Sequence, residues 1–256
     1  MIAGLVLVWG LAVSAVFNPA SAATIAIDVG HYREEPGATS ARGRPEFAFN
    51  LDLARELETA LQARGHATQL IGADGGMRDL WRRPRAALGA DLFISVHHDS
   101  TQARYQSTWV HEGAAQRYSD RFAGFSSFVS RENPGWRTGL RCASAIGGAL
   151  VKAGFTPSLY HADPVLGENR QFADKVNGVH YYDHLAALRH ASMPALLFEA
   201  GVIVNREEEI RMRDGTVRNS IVTGVAAGID ACLKKDEGGR MKDEWKYNGK
   251  DNVHGK

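Results

Sequence analysis

Cysteine is scarce in this chain, and the two present, Cys142 and Cys232, lie far apart with no C-x-x-C spacing. That excludes the common thiolate metal sites and dithiol redox motifs. No G-x-S-x-G occurs, and Cys142 lacks the reactive setting expected of a catalytic thiol, so a covalent nucleophile has no motif here. Walker and dinucleotide glycine patterns are missing too. An excess of charge of either sign is also lacking: 30 Lys and Arg stand against 29 Asp and Glu, for a net +1. With no basic cluster interleaved with aromatics, nucleic acid is not an expected partner.

The 256 residues and 44% hydrophobic content suit one α/β domain with a sizeable core. The longest apolar run is at the start, where MIAGLVLVWGLAVSAVFNPASA carries no charged side chain and ends in the small-residue pattern Ala20-Ser21-Ala22. Residues 1–22 therefore read as a cleaved secretory signal, with an uncleaved anchor as the alternative, since the basic n-region is missing. The expectation is a periplasmic or secreted protein with no stable membrane span after cleavage. Residues 23–233 form the domain, and the polar, glycine-containing residues 234–256 read as a disordered tail. In an oxidising compartment Cys142 and Cys232 either pair or serve as small buried hydrophobes, and the sequence leaves both readings open.

One stretch organises the rest. In TIAIDVGHYREEPGATSARGRPE, a short apolar strand from Thr24 to Ile27 breaks at Asp28-Val29-Gly30 and delivers His31, and Glu46 opens the next helix. Two further segments repeat the arrangement: Leu92 to Val96 delivers His97, and Ala195 to Phe198 delivers Glu199. Ligand sites of open α/β sheets lie outside the carboxyl ends of the strands, so these residues are expected to converge on one site. Zinc in a hydrolytic site takes three protein ligands from His and carboxylate. Each residue alone would be a turn histidine or a helix-start carboxylate, and their company is what argues for a metal.

The motifs carry a resemblance. Asp28-Val29-Gly30-His31 with Pro36-Gly37-Ala38, Gly43-Arg44-Pro45-Glu46 with Asn50-Leu51, the run Ala90 to Asp99, and Leu188-Arg189 ahead of Met193 to Gly201 stand in a specific order over residues 24–205. In this the chain resembles the zinc-dependent N-acetylmuramoyl-L-alanine amidases of the Amidase_3 type, which cleave peptidoglycan. It departs from them at Tyr32-Arg33 (usually Gly-Gly), at Glu35 (usually Asp) and at Val202 (usually Phe). The resemblance implies zinc on His31, Glu46 and His97, with Glu199 as general acid/base. It also implies a peptidoglycan substrate and, in some members, an activator protein. It assigns the metal to His97 through Ser95-x-His97-x-Asp99 and leaves His98 at the rim or behind the ligands. Two rivals remain: another exported zinc peptidase or amidohydrolase, and a noncatalytic wall-binding relative. The second would be marked by loss of one of the four residues, and none is lost.

Along the chain, Phe47, Leu51, Ala54, Leu57 and Leu61 mark an amphipathic helix that Gly65 ends. Ala67 to Ile71 reads as a strand and Arg78 to Leu88 as a helix interrupted near Pro84. Leu140, Ala143, Ile146, Leu150 and Ala153 mark another helix, and Ile221, Val225, Ile229 and Cys232 a last one. Strands alternating with helices imply an α/β fold, with a mostly parallel twisted sheet and helices on both faces. Ser107 to His111 reads as a further strand. Gly113 to Pro134 has no clean period and is read either as a cover over the cleft, as in some members of the resembled family, or as a surface excursion. Thr156 to Tyr182 reads as loop, with His161 and His180 solvated rather than functional.

Overall fold

A computed structural model describes residues 22–234. The leader and the polar tail read from the sequence therefore lie, apart from Ala22 and Lys234, outside the described residues. Among these residues nine strands form two sheets. β1 (Thr24–Val29), β2 (Ala67–Ile71), β3 (Leu92–Asp99), β6 (Ser126–Val129), β7 (Phe172–Asp174), β8 (Val179–Tyr181) and β9 (Ala195–Val202) build a seven-stranded sheet in the order β2-β1-β3-β9-β6-β8-β7. The first four strands in that order are parallel. β6 then runs antiparallel to β9, β8 parallel to β6, and β7 antiparallel to β8. The expected single α/β domain with a mostly parallel sheet is what forms.

Side chains alternate across each strand, and the two faces are covered by different helices. Ile25, Ile27 and Val29 of β1, with Leu92, Ile94 and Val96 of β3, pack into the larger core against α1 (Glu46–Ala63), α3 (Trp136–Lys152), α5 (Arg206–Arg213) and α6 (Gly215–Leu233). Ala26, Phe93 and Leu197 point the other way, into a smaller core with Ala87, Leu188 and Met193 beside α2 (Arg82–Ala86) and α4 (Ala186–Arg189). Burying a Leu, Ile or Phe is worth roughly 1.5–3 kcal/mol each, so the larger face dominates stability. α3 and α6 are also joined by a disulfide between Cys142 and Cys232, whose Cα atoms are 4.9 Å apart. It closes a sequence separation of 90 residues. Replacing both cysteines with alanine is expected to cost about 2–4 kcal/mol in urea unfolding, because a cross-link of that span constrains the unfolded chain.

Four sequence expectations need correction. The segment Gly113 to Pro134 is not one surface excursion: its first residues belong to an exposed hairpin and its later ones to the core. β4 (Ser107–His111) and β5 (Ala114–Tyr118) form an antiparallel hairpin, and β6 is a buried strand of the main sheet. A short linker in place of 113–134 would therefore delete part of the core. The stretch 156–182 holds β7 and β8, and His161 and His180 are both buried rather than solvated. The helix expected from Arg78 to Leu88 shrinks to α2, whose Arg83 is turned inward and 1% exposed. Finally, β3 and β9 run through His97 and Glu199 rather than stopping before them.

Candidate metal centre

Register brings the site together. Val29 pairs with Val96, so Gly30 comes beside His97, and His97 in turn pairs with Glu199 on β9. Neighbouring parallel strands lie about 4.8 Å apart with paired residues on one face, so His97 and Glu199 project side by side. Glu46 opens α1 directly after Pro45, a proline that suits entry into a helix. The chain between His31 and Glu46 folds back so that Glu46 N donates to Ala38 O at 2.8 Å and Phe47 N to Pro36 O at 2.9 Å.

Three of the expected residues converge. His31 Nε2 lies 3.1 Å from Glu46 Oε2 and His97 Nδ1 lies 3.0 Å from Glu46 Oε1. One ligand atom from each of His31, Glu46 and His97 falls within 4.8 Å of the others. The two rings meet edge to face, with centroids 4.9 Å apart. Burial alone would push the Glu46 carboxyl up, but hydrogen bonds from His31 and His97 outweigh it and hold the group well below the usual carboxylate range. Ala38 N and Asn50 Nδ2 also donate to Glu46, at 3.0 and 3.1 Å.

His98 takes the opposite side of the strand, as alternation requires. It is buried, and its Nδ1 donates to Asn50 Oδ1 at 2.8 Å, since Asn50 Nδ2 is already spent on Glu46 and on Gly30 O. His98 thus supports the residue that holds Glu46 and is not at the rim. Burial pushes its pKa down to about 3, so it stays neutral.

Two glycines leave the room these side chains occupy. A Cβ on Gly30 would stand 2.3 Å from His97 Nε2, and one on Gly37, at φ +78°, would stand 2.3 Å from Glu46 Oε2 and 2.6 Å from the His31 ring. Gly30→Ala is accordingly expected to displace His97 and to lower metal stoichiometry well below that of the wild type in metal analysis after dialysis. Full retention would show that the His97 ring is not confined there. His31 itself has φ +68°, a left-handed conformation that costs a non-glycine residue roughly 1–2 kcal/mol. Arg83 offsets this by gripping the loop. Its guanidinium pairs with Asp28 Oδ1 at 2.7 Å, donates to Val29 O at 2.7 Å and Met77 O at 2.8 Å, and bonds the carbonyl of His31. Ser95 Oγ donates to the other Asp28 oxygen at 2.7 Å. Sequence reading missed Arg83. The one available signal was Asp28, a carboxylate on an otherwise apolar strand that needs a buried cation.

Glu199 stands beside this cluster without joining it. It is partly buried, and its Oε2 has no hydrogen-bond partner. Burial, reinforced by the carboxylates of Asp99 and Glu46, pushes its carboxyl well above the usual range. A carboxyl poised high, free of partners and next to a metal-type triad is equipped to exchange a proton.

The family model described as N-acetylmuramoyl-L-alanine amidase matches residues 25–231. The chain is 25% identical over 230 residues to the N-acetylmuramoyl-L-alanine amidase AmiC of Neisseria meningitidis serogroup B, covering 82% of this chain and 52% of that protein. It is 25% identical over 218 residues to AmiA of Escherichia coli K12, covering 80% and 74%. In fold it is similar to the amidase Ami1 of Mycobacterium smegmatis, with TM-score 0.66 at 20% identity over 84% of this chain and 98% of that one. The chain belongs to the N-acetylmuramoyl-L-alanine amidase family. It spans about half the length of the N. meningitidis relative.

Proposed function

We propose that the protein is an exported, zinc-dependent amidase that hydrolyses the bond between the lactyl group of N-acetylmuramic acid and L-alanine in peptidoglycan. The observation that carries this reading is the convergence of His31, Glu46 and His97 with an unpartnered Glu199 alongside. Two imidazoles and one carboxylate are the donor types of hydrolytic zinc sites, and Gly30 and Gly37 leave a cradle that any Cβ would fill. His31, Glu46 and His97 would hold the ion. Bound there, zinc supplies Lewis acidity toward the amide carbonyl and toward water, which removes the need for a nucleophilic side chain.

The rest of the chemistry falls to the protein's own groups. Glu199 takes a proton from the attacking water and returns it to the alanine nitrogen as the C–N bond breaks, so one carboxyl serves as base and then acid. Asn50 and Ala38 N keep the Glu46 carboxylate oriented, and Arg83 keeps His31 in its left-handed turn. Export rests on the apolar leader and matches the location of the polymer. No helix among the described residues is long and apolar enough to cross a membrane. An activator protein is part of the proposal on family grounds.

Digestion of purified sacculi with the zinc-loaded protein, read by mass spectrometry, is the test. Free stem peptides beginning with L-alanine and bare glycan strands are expected. Shortened peptides still attached to sugar, or cut glycan, would replace this reading with a peptidase or a glycan hydrolase.

A further inference from the structure

Glu199 has a buried ionic neighbour that none of the roles above uses. Asp99 follows ligand His97 by two residues on β3, at an irregularity in the pairing with β9, and its charge reaches Glu199. Asp99 Oδ2 lies 2.7 Å from His161 Nε2, and Oδ1 accepts from Ser100 N at 2.7 Å. His161 Nδ1 lies 2.9 Å from Glu168 Oε2. All three side chains are nearly closed off from solvent, at 10%, 9% and 9% exposure for Asp99, His161 and Glu168.

Ionised carboxylates only accept, so both ring nitrogens of His161 must donate, and the ring is an imidazolium held between two carboxylates. The titratable and charged groups around it are Asp99 from β3, Tyr160, Glu168 and Arg170 from its own segment, and His180 from β8, with ring centroids 4.9 Å away for Tyr160 and 5.8 Å for His180. Burial opposes the charge, but Asp99 and Glu168 outweigh it and push the pKa up to about 9. Glu168 is anchored in turn. Arg170 pairs with it, and Gln102 Nε2 reaches Glu168 Oε1 at 3.2 Å and Leu166 O at 3.1 Å.

We propose that His161 is a positioning residue of the hydrolytic site: by bonding Asp99 it fixes that carboxylate beside Glu199, and by bonding Glu168 it ties the Tyr160–Arg170 segment to the end of β3. A carboxylate two residues from a metal ligand is a donor of the kind zinc takes, and free to swing it would contend with Glu46 and crowd the space where Glu199 meets water. With both oxygens engaged, it stays in place. His161 touches no reacting atom, and its effect runs through Asp99. This inference rests on the amidase reading for its kinetics but not for its structure.

The test is steady-state kinetics of zinc-loaded His161→Gln on soluble muropeptides, with Asp99→Asn and the double variant. Loss of a supporting partner at a metal site typically costs about 10–100-fold. That loss is expected in kcat, with KM within about threefold, because the groups that bind substrate are untouched. The double variant should be no slower than the worse single one, since the pair acts as a unit. Glu168→Gln, which leaves the bond to Asp99 intact, should lose less kcat in the same direction and serves if His161→Gln fails to fold. The Cys142→Ala, Cys232→Ala protein controls for stability, being less stable with kcat unchanged. If His161→Gln behaves like that control, or if the double variant multiplies the single losses, the proposal is wrong. Nitrogen-15 NMR of the metal-free wild type gives a readout independent of activity. Both ring N–H protons of His161 should be present at pH 7 and one should be lost only near pH 9, whereas a neutral ring at pH 7 would overturn the proposal. A wild type inactive on sacculi would sink the amidase reading instead and leave the NMR result to judge the network.

Discussion

Glu46→Gln is expected to strip the metal and reduce hydrolysis to background, the largest effect of any single isosteric change in the molecule. Everything around Glu46 is a donor. His31 and His97 approach from one side, and Ala38 N, Asn50 Nδ2 and His98 N, at 3.4 Å, from the others. A carboxylate satisfies them with two acceptor oxygens, whereas a glutamine amide must turn an NH2 toward donors. The variant therefore loses a ligand charge and also meets repulsion from the groups that orient the ligand. Metal analysis after dialysis should find about one zinc per chain in the wild type and close to none in Glu46→Gln. The contrasting substitution is His98→Ala, which should retain its zinc because the His98 side chain lies on the other side of β3 and reaches Glu46 only through Asn50. Loss of zinc in His98→Ala together with retention in His97→Ala would exchange the roles of the two histidines.

How far these placements were legible in the sequence depended on where each residue's partners lie. His31, His97 and Glu199 could be read because each follows an apolar run, and strand geometry alone sends such residues to one edge of a parallel sheet. β6 and β8 escaped notice because they are four and three residues long and include Ser126, Ser127 and His180, polar residues buried by the sheet around them rather than by their own hydropathy. Arg83 and His161 escaped for a related reason. Arginine and loop histidine are ordinarily solvated, and only the carboxylates they meet, Asp28 at a sequence distance of 55 and Asp99 at 62, draw them inside. The Cys142–Cys232 pairing was equally hidden, since nothing local specifies that α3 packs on α6. What the sequence carries well is periodicity and the ends of long elements. Buried charge pairs across distant segments become visible only once the sheet order is known.

Glu199→Gln is expected to separate catalysis from metal binding and from folding. The amide is nearly isosteric and cannot take up the proton, so kcat should fall by roughly two to four orders of magnitude, the usual worth of a general acid/base. Zinc content should be unchanged, because the carboxyl stands beside the ligand cluster and its Oε2 bonds nothing within it. Stability of the metal-free protein should move the other way. A carboxyl raised in the folded state holds its proton more tightly there than in the unfolded chain. Its contribution is thus fully present below the unfolded pKa of about 4.3 and is lost as pH rises through the folded value. At pH 7 wild-type Glu199 must either ionise against burial, Asp99 and Glu46 or stay protonated at a cost, whereas glutamine faces neither. Metal-free Glu199→Gln should therefore melt higher than metal-free wild type at pH 7, and the gap should close toward pH 4. A variant that loses zinc would make Glu199 a ligand, and one that keeps most of its kcat would move the proton transfer to another group.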